Sequence, residues 1–247
     1  MATVDSLRGL RDMARRANPA FAAGAVVVPV AALVGAVLVG GIRPLFYVHV
    51  MAGVLWTGID VFMGAVLGPV LGGLSVDERA SVFERFTPKM TFLMPTLAAV
   101  TIGGGVTLAT ELGKFPHANP WLAIMTAAVL LPVVPLIAFQ FGALRDRRTA
   151  VAFVLALAVS AAAVALTAPE FGWTTREMLL VLGIVTLLAV LGFGVILPGE
   201  IRIYRELGSA DPDTETISTV GMRNARLSGV QGLLQLAIVA AMVLLRF

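Results

Sequence analysis

Residues 47–69 read YVHVMAGVLWTGIDVFMGAVLGP, and the fold turns on how that stretch is taken. It is long enough, at 1.5 Å per helical residue, to cross a hydrocarbon core of about 30 Å. Yet it carries a histidine and an aspartate, residues that are expensive to place in lipid. On a 3.6-residue period His49, Gly53, Trp56, Asp60 and Gly64 follow one another at steps of four, three, four and four, which stacks them along one side of a helix. A ligating side chain, a gap, a large ring and an acid therefore share a face.

Working outward, composition sets the class. The 247 residues are 58% hydrophobic and 13% charged, with a mean hydropathy of +0.93, whereas about a quarter of residues are charged in soluble domains. This is the profile of an all-α integral membrane protein. Apolar segments recur at intervals of roughly 30 residues, which indicates a single helical bundle without a separate water-soluble domain. The chain has no cysteine, so disulfides, thiolate metal sites, iron–sulfur clusters and cysteine nucleophiles are excluded. A net charge of +3 does not point to nucleic acid here, because the basic residues sit in particular loops and report topology.

Seven spans are expected. Residues 1–18, with Arg8, Arg11, Arg15 and Arg16 between Leu7, Leu10, Met13 and Ala14, read as a basic amphipathic segment on the cytoplasmic membrane surface or as a basic tail. The single transmembrane domain, 19–247, follows. Its spans are about Ala22–Val39 with Pro29 as a kink, Leu45–Leu71, Met90–Leu108, Trp121–Leu144 with Pro132 and Pro135, Ala150–Ala168, Met178–Leu197, and Met222 to the end. A cleaved signal peptide is disfavoured because the first apolar run is long and lacks a small-x-small cleavage site. Residues 75–89 and 202–219 read as polar loops. Gly103, Gly104 and Gly105 in span three allow close approach of another helix or of a flat ligand.

Charge orients the chain. With the N-terminus cytoplasmic and the C-terminus outside, the inner segments hold fourteen of the lysines and arginines, among them Arg79, Arg85, Lys89, Arg145, Arg147, Arg148, Arg202, Arg205, Arg223 and Arg226, while Arg43, Lys114, Arg176 and Arg246 are outside. That bias is the positive-inside signature. The ends of spans two and six, G-A-V-L-G-P at 64–69 and G-V-I-L-P at 194–198, are alike and point the same way, by parallel duplication or by chance among glycine-rich helices.

The residues that could carry chemistry follow from depth. His49 and His117 fall on the outer side, together with Met51, Met125, Met178 and Met242. Imidazole and thioether suit haem iron or copper, although methionine is also a common filler of apolar gaps. His49 as a haem ligand would use Gly53 to admit the porphyrin plane and Trp56 to pack on it; otherwise it is an interfacial histidine bonded to a neighbouring helix. Asp60, near mid-membrane, must face inward and be paired, be protonated or line water. Asn224, Ser228, Gln231 and Gln235 form a polar stripe on span seven at steps of four, three and four, so Gln231 or Gln235 is expected to bond Asp60. That network serves either as glue between helices or in proton transfer or ion coordination. Glu200, Arg202 and Arg205 read chiefly as topological charge, and Lys89 and Arg85 as snorkelling cations or holders of an anionic group such as a propionate.

His49-x6-Trp56-Thr57-Gly58, followed by Phe62 and Pro69, resembles the H-x6-W-x-G…P helix of small membrane proteins that include the HemJ-type protoporphyrinogen oxidases and the CopD-type copper-resistance proteins. Glu84-Arg85-Phe86, then Pro95 and Gly103 to Gly105, resemble the basic loop and Pro/Gly-containing helix that follow it, so the likeness covers about residues 47–108. It implies a haem b or copper site with His49 as first ligand and, in the oxidase branch, a basic residue such as Lys89 beside the porphyrin. The chain departs from the oxidase pattern in having Val70 after Pro69 and no further histidine on the span, which counts against oxidase activity more than against haem binding.

Three functions are therefore expected in order. The first is a membrane haem b redox protein, for electron transfer or as a haem-dependent oxidoreductase on porphyrin. His49 is its axial ligand, His117 or Met125 is a candidate second ligand, and it works with a membrane redox partner or as a homo-oligomer. The second is a copper or other ion transporter using His49, the outer methionines, Asp60, Gln231 and Gln235. The third is a structural subunit. A bias to Arg, Ala, Val and Gly suggests a high-GC prokaryote and hence its cell membrane.

Overall fold

The computed structural model describes residues 11–246, with side chains as far as Leu244. Leu7, Arg8 and Leu10 of the expected N-terminal amphipathic segment lie outside the described residues, while residues 11–17 are helical. Seven helices long and apolar enough to cross a membrane follow, and the described residues contain no strand. They are α1 (Pro19–Val39), α2 (Ile42–Gly72), α3 (Val76–Glu111), α4 (Ala118–Gln140), α5 (Arg147–Glu170), α6 (Arg176–Leu207) and α7 (Thr214–Arg246). The protein is thus an all-α, multi-pass membrane protein with the seven spans its hydropathy implies.

Local chemistry sets the helix ends. Asn18 Oδ1 accepts from the amides of Ala20 at 3.0 Å and Phe21 at 3.5 Å, while Pro19 occupies a first-turn position that needs no N–H. Between α1 and α2 the chain turns through Gly40 and Gly41 at φ 75° and 107°, a backbone only glycine adopts cheaply. Ser75 and Glu78 close a capping box at the start of α3, the Ser75 amide and hydroxyl each donating to Glu78 Oε2 at 2.8 and 2.7 Å.

The two segments expected as polar loops are largely helical. α3 begins at Val76 rather than near Met90, α6 runs on to Leu207, and α7 begins at Thr214 rather than near Met222. The reason is amphipathicity, since an apolar stripe on each extension finds a partner. Ala80 and Phe83 of α3, Ile203 and Leu207 of α6, and Ile217, Val220 and Met222 of α7 close a buried cluster over Leu71. The Phe83 ring lies against Gly221, where a Cβ would collide with it. At 36 residues, α3 is about 54 Å long, far more than a bilayer core needs. Its first turns, which hold Asp77, Glu78, Arg79, Glu84 and Arg85, are therefore the part in excess of a single crossing. Asp213 caps α7 through bonds to the Thr216 amide and hydroxyl, which hold its carboxyl below the usual carboxylate range.

Packing divides the chain into two compact units: residues 11–105 with Gly199–Gly229, and Val106–Pro198 with residues 230–246. In the first, α1 packs on α2. In the second, α4 packs on α5 and α6, around Phe115, Met178 and Leu182 with Trp121 and Met125 against them. Trp121, Phe171 and Trp173 form an aromatic cluster with ring centroids 5.4–6.2 Å apart. Most of α5 is exposed, its open surface built chiefly of Ala, Val and Leu with Phe153.

The like ends of α2 and α6 share a local device. Each contains a π-helical turn, Met63–Leu67 in α2 and Gly192–Ile196 in α6, a wide turn that leaves the i→i−4 ladder. Proline follows closely in both, at Pro69 and Pro198. Pro198 has no N–H to return to the Gly194 carbonyl four residues back, and Gln140 Nε2 donates to that carbonyl instead at 2.7 Å. In the first unit the π turn lets α2 meet α7 backbone to backbone: a Cβ at Gly229 would lie 2.8 Å from Gly64 Cα.

Candidate functional site

The inward face of α2 is the one its spacing implies. Leu45, His49, Ala52, Trp56, Asp60 and Met63 are buried, whereas Met51, Val54, Leu55 and Phe62 are exposed. His49 retains 8% of its surface, and its Nδ1 lies 2.8 Å from the Thr101 carbonyl oxygen on α3. A carbonyl can only accept, so Nδ1 carries the proton and Nε2 is left with the lone pair.

The glycine triplet explains how the ring reaches that carbonyl. A Cβ at Gly105 would stand 2.8 Å from His49 Cε1 and 3.2 Å from Nδ1, and one at Gly104 would stand 3.4 Å from His49 Cβ. The two missing side chains are the seat of the imidazole. Gly103 instead faces Leu33, 3.7 Å away. Gly53, one turn from His49, faces Thr101 Cγ2 at 3.4 Å, so this gap admits a neighbouring helix. Trp56 is buried one turn further on.

Asp60 has no exposed surface. The polar stripe on α7 also faces inward, with Asn224, Gln231 and Gln235 at 3–5% exposure. Asn224 Nδ2 donates to Glu200 Oε1 at 2.9 Å in the first unit, and Gln231 Nε2 donates to the Leu188 carbonyl at 3.0 Å in the second.

The remaining candidates are engaged locally. His117 is exposed and left-handed, at φ 58° and ψ 37°. Its Nδ1 lies 2.8 Å from the Glu170 carbonyl, its ring rests against Gly172, and Asn119 Nδ2 donates to Glu170 Oε2 at 3.0 Å. These contacts tie together the loops of the second unit. Met125 packs on the Phe115, Met178 and Leu182 cluster. Lys89 Nζ donates to the Arg85 carbonyl at 3.0 Å. Among the described residues no group of three or more His, Asp or Glu is gathered as metal ligands.

Two features escaped the sequence reading. One is the partner of His49, a backbone carbonyl with no side-chain signature, although T-I-G-G-G at 101–105 marks where a ring could approach. The other is Glu200, which reads as interfacial charge and is instead held by Asn224. Fold and site together define a seven-helix membrane protein with an inward imidazole whose protonation is set by one carbonyl. Comparison with known proteins finds no family model, no curated protein and no solved structure that matches the chain.

Proposed function

We propose that the protein is a haem b-binding membrane redox protein in which His49 Nε2 is the axial ligand. The hydrogen bond from His49 Nδ1–H to the Thr101 carbonyl carries this proposal. Metal-ligating imidazoles characteristically give their second N–H to a carbonyl or carboxylate, which fixes the tautomer, turns the ring and raises ligand basicity. Gly104 and Gly105 leave the room that holds the ring in this orientation against α3. His117 and Met125 are occupied in packing, so no second axial ligand is assigned from this chain.

Electron transfer asks of the chain only that the ring be held and water kept away, and bound haem would supply the one-electron chemistry. Porphyrin oxidation asks in addition for a basic group beside the porphyrin. Lys89 is twelve residues before Thr101 on α3, about 18 Å along the axis, with its ammonium on the Arg85 carbonyl. Electron transfer is therefore the activity proposed. The charge bias supports a cytoplasmic N-terminus and an outer position for His49, and the bias to Arg, Ala, Val and Gly supports residence in a prokaryotic cell membrane. The full burial of Asp60 supports a role in the polar contacts between helices.

The test is the absorption spectrum of the protein purified from haem-replete cells. A Soret band that is lost in His49→Ala and kept in His117→Ala is expected. A colourless wild-type protein, or a band indifferent to His49→Ala, would refute the assignment.

A further inference from the structure

Glu200 sits one turn beyond the π-helical turn of α6, directly after Pro198 and Gly199. Its carboxyl is turned inward, against α3 and α7. Oε1 accepts from Asn224 Nδ2 at 2.9 Å. Oε2 is buried and has no hydrogen-bond partner, although the buried Thr87 hydroxyl of α3 lies beside the carboxyl. The pocket is built for this arrangement. A Cβ at Gly199 would come within 2.7 Å of Asn224 Nδ2, Asn224 Oδ1 and Arg223 Nη2, so only glycine lets the amide pass behind the helix to reach Glu200. Asn224 is itself oriented, because its Oδ1 accepts from Arg223 Nη2 at 3.4 Å.

We propose that Glu200 is a proton-binding site at the basic end of the protein, taking a proton onto Oε2 from the adjoining aqueous phase and returning it there. In the exchange hydronium gives up its proton and becomes water while the carboxylate becomes a carboxylic acid. The two oxygens are placed differently. Oε1 is held by the Asn224 amide, whereas Oε2 is shut away from water with the Thr87 hydroxyl beside the carboxyl, a hydroxyl that can donate to the anion or accept from the acid. Among the described residues Arg223 on α7 is the charged group that acts on the carboxyl directly, Arg202 of the same helix as Glu200 acts on Arg223, and α3 presents the uncharged Thr87. A carboxyl with one oxygen engaged and the other beside a hydroxyl can hold a proton or give it up without leaving its pocket, as a proton carrier must. A metal cation fits less well, since Asn224 turns its donor rather than its oxygen toward Glu200, and a guanidinium already stands close by.

The site is independent of the haem proposal. Thr87 and Thr101 are fourteen residues apart on α3, about 21 Å along the axis, and neither arrangement uses the other's residues. The inference is tested by infrared difference spectroscopy of the full-length protein in liposomes, titrated from about pH 5 to about pH 9, where buried glutamates change charge. The wild type and Asp60→Asn should show the carbonyl stretch of a protonated carboxylic acid growing in on acidification, and Glu200→Gln should lack it. Asn224→Leu, which removes the donor that favours the anion, should move the midpoint of that band to higher pH. The proposal is overturned by a band that survives in Glu200→Gln, by its absence from the wild type across the range, or by its appearing in choline buffer and vanishing when sodium or potassium is added, which would make the pocket a cation site.

Discussion

Gly105 and Gly103 differ by two positions and by everything that matters to His49. A methyl group at Gly105 would press on the Cε1 edge of the imidazole, whereas one at Gly103 meets only Leu33 at ordinary contact distance. Gly105→Ala is expected to weaken or abolish the His49-dependent absorption band while Gly103→Ala keeps it, read from spectra of variants purified in parallel. The same reasoning separates Gly64 from Gly58. Alanine at Gly64 collides with the Gly229 backbone, and at Gly58 it meets nothing within 4 Å. Gly64→Ala should cost about 1–3 kcal/mol, as overpacking does, and Gly58→Ala close to nothing, by thermal denaturation in detergent. At this scale the sequence was legible where a residue was chemically expensive. His49 and Asp60 announce an inward face because lipid would not tolerate them, and both are buried. Glu200 is as costly, but a glutamate two residues before Arg202 reads as solvated charge. Nothing in the sequence reveals that its partner comes from a helix 24 residues further on.

Helix ends were harder to read than helix centres. Apolar runs locate the spans because a bilayer demands them, but residues 76–89, 199–207 and 214–221 are polar enough to pass for loops. Their helicity rests on alternate burial of Phe83, Ile203 and Ile217 in one cluster, a tertiary reward that local composition does not display. Ser75-x-x-Glu78 was the overlooked local signal. Ser75→Ala should cost about 1 kcal/mol and speed amide exchange in the first turn of α3, without altering the spans. The π turns make a second prediction for an element. Gln140 Nε2 takes the place of the N–H that Pro198 lacks, so Gln140→Leu should destabilise the protein by about 1–3 kcal/mol. Restoring an N–H with Pro198→Ala in the same chain should recover part of the loss.

Across the whole molecule, the seven spans and the charge asymmetry support one topology, with the clustered arginines inside. Because the chain has no cysteine, single cysteines can report it directly. A cysteine at Ser209, between α6 and α7, should react with an impermeant maleimide only after the inner face is exposed, and one at Leu112, between α3 and α4, in intact cells. The opposite pattern would invert the orientation and move His49 to the inner side. Haemin titration of the purified apoprotein in detergent tests most directly that the His49 imidazole is poised for a metal rather than merely packed: the wild type is expected to give a saturable spectrum of imidazole-ligated haem that His49→Ala fails to give, and equal, non-saturating uptake by both proteins would contradict it.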